Sequence, residues 1–136
     1  MDLILYAKEM ANKHYDEKGL AHAYRVAKYV EENKLIPEEI KDFCVALGYM
    51  HDLVEDTDYV PDETVLDKHF IECLNLITKP KYQPYIEYII GISNSKETHP
   101  EAYWVKSADM KDHLQQKETL TERLKNKYMN ALPYFL

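Results

Sequence analysis

The stretch Ala46-Leu47-Gly48-Tyr49-Met50-His51-Asp52-Leu53-Val54-Glu55-Asp56-Thr57 runs an apolar helical segment straight into four side chains that handle metal ions or protons. Folding alone gives little reason to put His51, Asp52, Glu55 and Asp56 on a stem that wants burial. A buried charge is costly unless something compensates it, and a bound cation is one such compensation. On a helix, residues three and four apart share a face, so His51 aligns with Glu55, and Asp52 with Glu55 and Asp56. Histidine together with carboxylate suits manganese, iron or zinc better than calcium. Two ligands from one turn do not close a site, so further ligands must come from elsewhere in the chain.

The sequence around this stretch is helical almost throughout. A first helix is expected from Asp2 to Tyr15, with Leu3, Tyr6, Ala7, Met10, Ala11 and His14 on one face. Asp16 to Gly19 reads as a polar break, and a second helix runs from Ala21 to Asn33, burying Val26, Ala27, Tyr29 and Val30. Pro37, Glu38 and Glu39 open a third, because proline and acids suit a first turn. Its apolar face is Ile40, Phe43, Cys44, Leu47 and Met50, and it ends near Leu53. Glu55 to Pro61 reads as a loop, and Asp62-Glu63-Thr64 as the start of a short helix to His69 that continues from Phe70 to Thr78. Pro84 starts a helix ending near Asn94, and Thr98 is read as the cap of the next, which has Pro100 in its first turn. A last helix is expected from Thr119 to Ala131. There is no credible strand pair, internal repeat or interdomain linker. The expectation is a single all-α domain over residues 1–136.

Composition narrows the function classes. With 136 residues and 46% hydrophobic content, the chain can bury a core of its own. Three glycines leave no room for a glycine-rich phosphate loop. A net charge of −7 argues against a nucleic-acid or anionic-membrane surface. Cys44 and Cys73 lie far apart in apolar helical contexts and read as reduced core thiols, since a zinc pair normally comes closely spaced. No signal peptide or membrane-spanning stretch is visible, so a cytoplasmic protein is expected. Of the 12 tyrosines, Tyr82, Tyr85 and Tyr88 read as packing at the rim of the core. His14, His69 and His99 belong to no constellation and read as core-edge or surface residues.

Two further residues can complete the site. His22 stands near the start of the second helix, one turn before Arg25, and Asp109 lies in the mostly apolar run Val105-Lys106-Ser107-Ala108-Asp109-Met110. Taken singly, each has an ordinary structural explanation: a helix-cap histidine and a lysine-paired acid. Taken with His51 and Asp52, they make a shell of two histidines and two aspartates.

The order His22, His51-Asp52, Asp109 resembles the HD metal-dependent phosphohydrolase superfamily. His51-Asp52-Leu53-Val54-Glu55-Asp56-Thr57 is similar to the His-Asp-x-x-Glu-Asp-Thr motif of the SpoT/RelA-type (p)ppGpp hydrolases, including their small stand-alone forms. His22 with Val26-Ala27, Leu76-Ile77-Thr78-Lys79 and Val105-Lys106-Ser107-Ala108-Asp109 fit the same branch. The likeness runs from about residue 10 to residue 115. It implies an HD-type helical bundle holding one divalent metal, usually manganese, with iron, zinc, cobalt or magnesium as alternatives. His22, His51, Asp52 and Asp109 would be the ligands, and Glu55 and Asp56 would handle the attacking water. Arg25, Lys106 and Lys18 are the candidate phosphate-binding cations, ahead of Lys28 and Lys111.

The chain also departs from that pattern. The segment Asp16 to Ala21 is shorter and less basic than the family's base-binding segment, and Ala23 stands where proline is usual. Met110-Lys111-Asp112-His113 replaces Arg-Leu-His-Asn, so His113 takes the position of the sugar-contacting asparagine. The implied function is hydrolysis of a small nucleotide phosphate or pyrophosphate ester, with a (p)ppGpp-type 3′-pyrophosphate foremost. The alternatives are a 5′-nucleotidase acting on deoxynucleoside monophosphates, a non-catalytic nucleotide-binding HD domain, and a plain helical interaction protein. Homo-oligomerisation is compatible with each.

Overall fold

The protein is described by a computed structural model covering residues 1–135. Among these residues there are α-helices and one 3₁₀ segment, and no strand. The helices are α1 (Leu3–His14), α2 (Glu17–Glu32), α3 (Glu38–Met50), α4 (Leu53–Asp56), α5 (Lys68–Leu76), α6 (Tyr85–Asn94), α7 (Pro100–Gln115) and α8 (Glu122–Ala131), followed by the 3₁₀ segment Leu132–Phe135.

The central element is α3. Every residue from Cys44 to Met50 is buried, including Val45, Ala46, Gly48 and Tyr49, which lie outside the apolar face read from the sequence. A helical stretch apolar on all sides is buried on all sides, as this second half of α3 is. Here α1, α2, α5 and α7 surround it. α2 comes close at Gly48, where a β-carbon would lie 3.2 Å from the Ala27 Cα. Small residues at the crossings, Ala7 and Ala11 on α1 and Ala23 and Ala27 on α2, are almost fully buried. They let the backbones approach, so that side chains at the end of α3 meet those of α2 and α7.

Several boundaries differ from the sequence reading, each for a local reason. Asp16 belongs to no break: its carboxylate accepts the Gly19 N–H at 2.8 Å and caps α2 four residues earlier than expected. No helix starts at Asp62. The segment Glu63 to Leu66 forms turns, and Asp67 caps α5 by accepting the Phe70 N–H. Thr98 does not cap α7, because its hydroxyl donates to the Ser95 carbonyl instead. Thr121, not Thr119, caps α8. The residues Leu53–Asp56, read partly as loop, form the short α4.

Candidate metal centre

The break between α3 and α4 builds the site. Asp52 lies at φ −103° and ψ 1°, in the bridge region where the helical path turns aside. Its backbone N–H donates to the Tyr15 hydroxyl at 3.1 Å, tying the turn to the end of α1. The turn directs His51 inward, with 2% of its surface exposed. It points toward His22 from α2 and Asp109 from α7.

Four atoms converge there. His22 Nε2 lies 2.8 Å from Asp109 Oδ1 and 3.2 Å from His51 Nε2. His51 Nε2 lies 3.2 Å from both Asp109 Oδ1 and Asp52 Oδ2, and His22 Nε2 lies 3.5 Å from Asp52 Oδ2. Ligands about 2.1 Å from one ion stand about 3.0 to 3.4 Å apart in octahedral or tetrahedral arrangements. The observed separations bracket that range.

The ring nitrogens facing away decide the chemistry. His51 Nδ1 lies 2.7 Å from the Gly48 carbonyl oxygen, which can only accept, so Nδ1 carries the proton. His22 Nδ1 lies 2.7 Å from Asp112 Oδ2 and donates to it. In the neutral rings both Nε2 atoms therefore bear lone pairs, aimed at each other and at two carboxylate oxygens. Such a set is repulsive unless protons or a cation occupy its centre, and the donors suit a borderline divalent ion. His22, His51, Asp52 and Asp109 could hold one.

Without an ion, protons and neighbouring charges supply the balance. Burial opposes a charge on His51, but the Asp52 and Asp109 carboxylates overcome it and raise its pKa well above the ordinary value. Burial also opposes ionisation of Asp109. There the Lys106 ammonium, 2.7 Å from Oδ2, leads a group including His113, His22 and His51 that holds it well below the carboxylate range.

Asp112 and His113 gain roles that the sequence did not reveal. Asp112 is fully buried and bridges His22 Nδ1 to the Arg25 Nε, 2.8 Å away. It fixes the His22 tautomer, and carboxylates behind metal-binding histidines do this recurrently. His113 Nε2 lies 3.2 Å from Asp109 Oδ1, and its ring stacks on Tyr128 from α8.

A cavity of about 230 Å³ opens beside the cluster, lined by Asp52, Glu55, Asp56, Asp109 and His113, by Lys79, Lys106 and Lys127, and by Tyr85, Tyr88 and Tyr128. Glu55 does not share a regular helix with His51. Its Oε1 accepts the Lys79 backbone N–H at 2.8 Å, which ties α4 to the segment after α5. Burial, then the Asp52 and Glu55 carboxylates, push Asp56 up to about 6.

The candidate cations divide. Lys106 is buried, lines the cavity and is committed to Asp109. Arg25 is committed to Asp112 and does not line the cavity. Lys18 is exposed on the first turn of α2 and does not line it either. Lys79 and Lys127, which the sequence reading passed over, also line the cavity and pair with no carboxylate among the described residues; the Lys79 ammonium donates to the Pro80 and Gln83 carbonyls, whereas that of Lys127 on α8 lies 4.3 Å from the Tyr85 ring centroid. The Tyr85 hydroxyl is buried beside it with no hydrogen-bond partner. Tyr85 and Tyr88 thus face the site rather than merely rimming the core, whereas Tyr82 is 91% exposed.

No protein-family model matches this sequence, and no curated protein matches it significantly.

Two outcomes follow from the geometry. Asp112→Ala should weaken divalent-metal binding by roughly 10- to 100-fold, because His22 loses the partner that fixes its tautomer. Unchanged affinity in a calorimetric titration would refute the role given to Asp112. Asp56 tests the electrostatics in chelator-treated protein. A carboxyl raised from 3.8 to about 6 holds more protons folded than unfolded, so its contribution to stability falls as pH rises through that window. Asp56→Asn should therefore raise the melting temperature more at pH 8 than at pH 4.5. A difference between variant and wild type that stays constant with pH would contradict it.

Proposed function

We propose that this chain is a metal-dependent phosphohydrolase of the HD type, cleaving a phosphate or pyrophosphate ester of a small nucleotide, with a (p)ppGpp-type 3′-pyrophosphate as the leading substrate. The observation that carries the reading is the convergence of His22, His51, Asp52 and Asp109, from three parts of the chain, beside a cavity that holds both carboxylates and ammonium groups. Those four side chains would hold the ion, and manganese is the leading candidate. A bound divalent cation polarises a phosphoryl oxygen and lowers the pKa of water.

The remaining residues have distinct tasks. Asp56, whose carboxyl lines the cavity beside Asp52, takes the proton of the attacking water. Glu55, anchored through Oε1 by the Lys79 N–H, orients that water. Lys127 binds a substrate phosphate as a point charge. Lys106 keeps Asp109 ionised, and Arg25 steadies Asp112, so both act through the ligand set rather than on substrate. His69, Cys73 and Glu101, which lie outside this cavity, take no part.

A second reading, a 5′-nucleotidase acting on deoxynucleoside monophosphates, is supported by the same departures noted in the sequence. Lys18 stays away from the cavity, and His113 occupies the position of the sugar-binding asparagine while reaching back to Asp109.

Phosphate and pyrophosphate release with manganese across ppGpp, deoxynucleoside monophosphates and NADPH tests the proposal. Turnover should need metal. Asp52→Ala should lose both metal and turnover, and Glu55→Ala should keep metal and lose turnover. Normal turnover by Glu55→Ala would remove its assigned role, and no release from any of these substrates would overturn the hydrolase reading.

A further inference from the structure

A second convergence of ligand-type side chains lies outside the centre described above. His69 and Cys73 stand four residues apart on α5, so they share a face. Glu101 faces them from the first turn of α7. His69 Nε2 lies 3.0 Å from Glu101 Oε1, Cys73 Sγ lies 3.8 Å from His69 Nε2, and Cys73 Sγ lies 3.9 Å from Glu101 Oε1.

Burial makes this trio unusual. Glu101 is 6% exposed and Cys73 is fully buried. No lysine or arginine pairs with Glu101 among the described residues; its one ion-pairing partner is His69. A buried carboxylate needs a compensating positive charge, and this one has no permanent cation. The His69 ring is held in place by neighbours, stacked on the His99 ring with centroids 4.8 Å apart and packed against Phe43. The His69 side chain is 39% exposed, which leaves a route from solvent.

We propose that His69, Cys73 and Glu101 form a second metal site, selective for a thiolate-preferring ion such as zinc, that clamps α5 to α7. Imidazole, thiolate and carboxylate are all zinc donors. Around one tetrahedral zinc, nitrogen and oxygen ligands stand about 3.3 Å apart and pairs involving sulfur about 3.5 Å apart. The three observed separations lie within about half an ångström of those values, so modest side-chain rotation closes the site. A solvent molecule completes the fourth position on the His69 side. Thiolate and carboxylate neutralise the dication. Binding displaces the Cys73 thiol proton to solvent and moves the His69 ring proton from Nε2 to Nδ1. Burial and the Glu101 carboxylate hold the metal-free thiol protonated, so one proton leaves per ion bound.

The alternative is a closed hydrogen-bond trio, with His69 Nε2–H and the Cys73 thiol both donating to Glu101. Cobalt(II) distinguishes the two, because only a thiolate ligand gives a near-ultraviolet sulfur-to-cobalt charge-transfer band. The His22 cluster contains no cysteine, so this readout is blind to it. Reduced full-length Asp52→Asn, impaired at the first centre, should develop the band and saturate at one equivalent, with zinc displacing cobalt and one proton released per ion. Cys73→Ser should lose the band, and Cys44→Ser should keep it. His69→Ala, which removes a partly exposed side chain and is the variant of choice if Cys73→Ser does not fold, should weaken binding roughly tenfold or more. Absence of the band in wild type and Asp52→Asn, or unchanged cobalt affinity in His69→Ala, would overturn this site and leave the first centre untouched.

Discussion

Two hydrogen bonds on the far sides of two imidazoles set up everything at the first centre. The Gly48 carbonyl takes the His51 Nδ1 proton, and Asp112 takes that of His22. With those protons committed outward, the Nε2 lone pairs face each other 3.2 Å apart, next to two aspartate oxygens. Neither bond is incidental. The first uses the backbone carbonyl of Gly48, the residue where α2 comes so close that a β-carbon would crowd Ala27. The second depends on α7 presenting a fully buried Asp112 against α2. The helix crossings that give the fold its core are the same crossings that orient the four side chains.

Clustering buried acids has an electrostatic cost that the surrounding cations limit. A buried ion pair often stabilises less than an apolar contact of the same size. Lys106, Arg25 and three histidines nonetheless stand around Asp109 and Asp112, and the Lys106 ammonium foremost holds Asp109 ionised within a protein whose net charge is −7. Lys127 is set apart from this group because its charge is uncommitted and faces the cavity. An interior built for stability alone would hold fewer charges. The proposed hydrolase, which would bring an ion and a phosphate together, accounts for this mixture.

Much of this was legible in the residue pattern because it rests on local rules. Helical periodicity gave the all-α class, and the position of His51-Asp52 at the end of an apolar run pointed to the site. Caps were harder to read. Asp16 resembled a break until its bond to the Gly19 N–H showed it as a start, since one aspartate serves a turn and an N-cap equally well. The burial of the Cys44–Met50 part of α3 on all sides was hidden, because no helix in isolation records how many neighbours will surround it. Lys127 and Asp112 were invisible for the same reason, as their roles come from α8 and α7 folding back on the cluster. Arg25 and Lys18 were favoured for closeness in sequence to His22, yet helical rotation sends one to Asp112 and leaves the other in solvent. His69 and Cys73 did carry a signal, their spacing of four. Their partner Glu101 lies 28 residues beyond Cys73, and only tertiary structure supplies it.

The central claim is that the lone pairs of His22 and His51 and the oxygens of Asp52 and Asp109 meet at a cation rather than at shared protons. Diffraction from crystals grown with manganese, recorded at the manganese absorption edge, addresses it directly. The account predicts one anomalous peak within bonding distance of His22 Nε2, His51 Nε2, Asp52 and Asp109. A structure with no peak there, and with the four side chains still within hydrogen-bonding distance of one another, would contradict it.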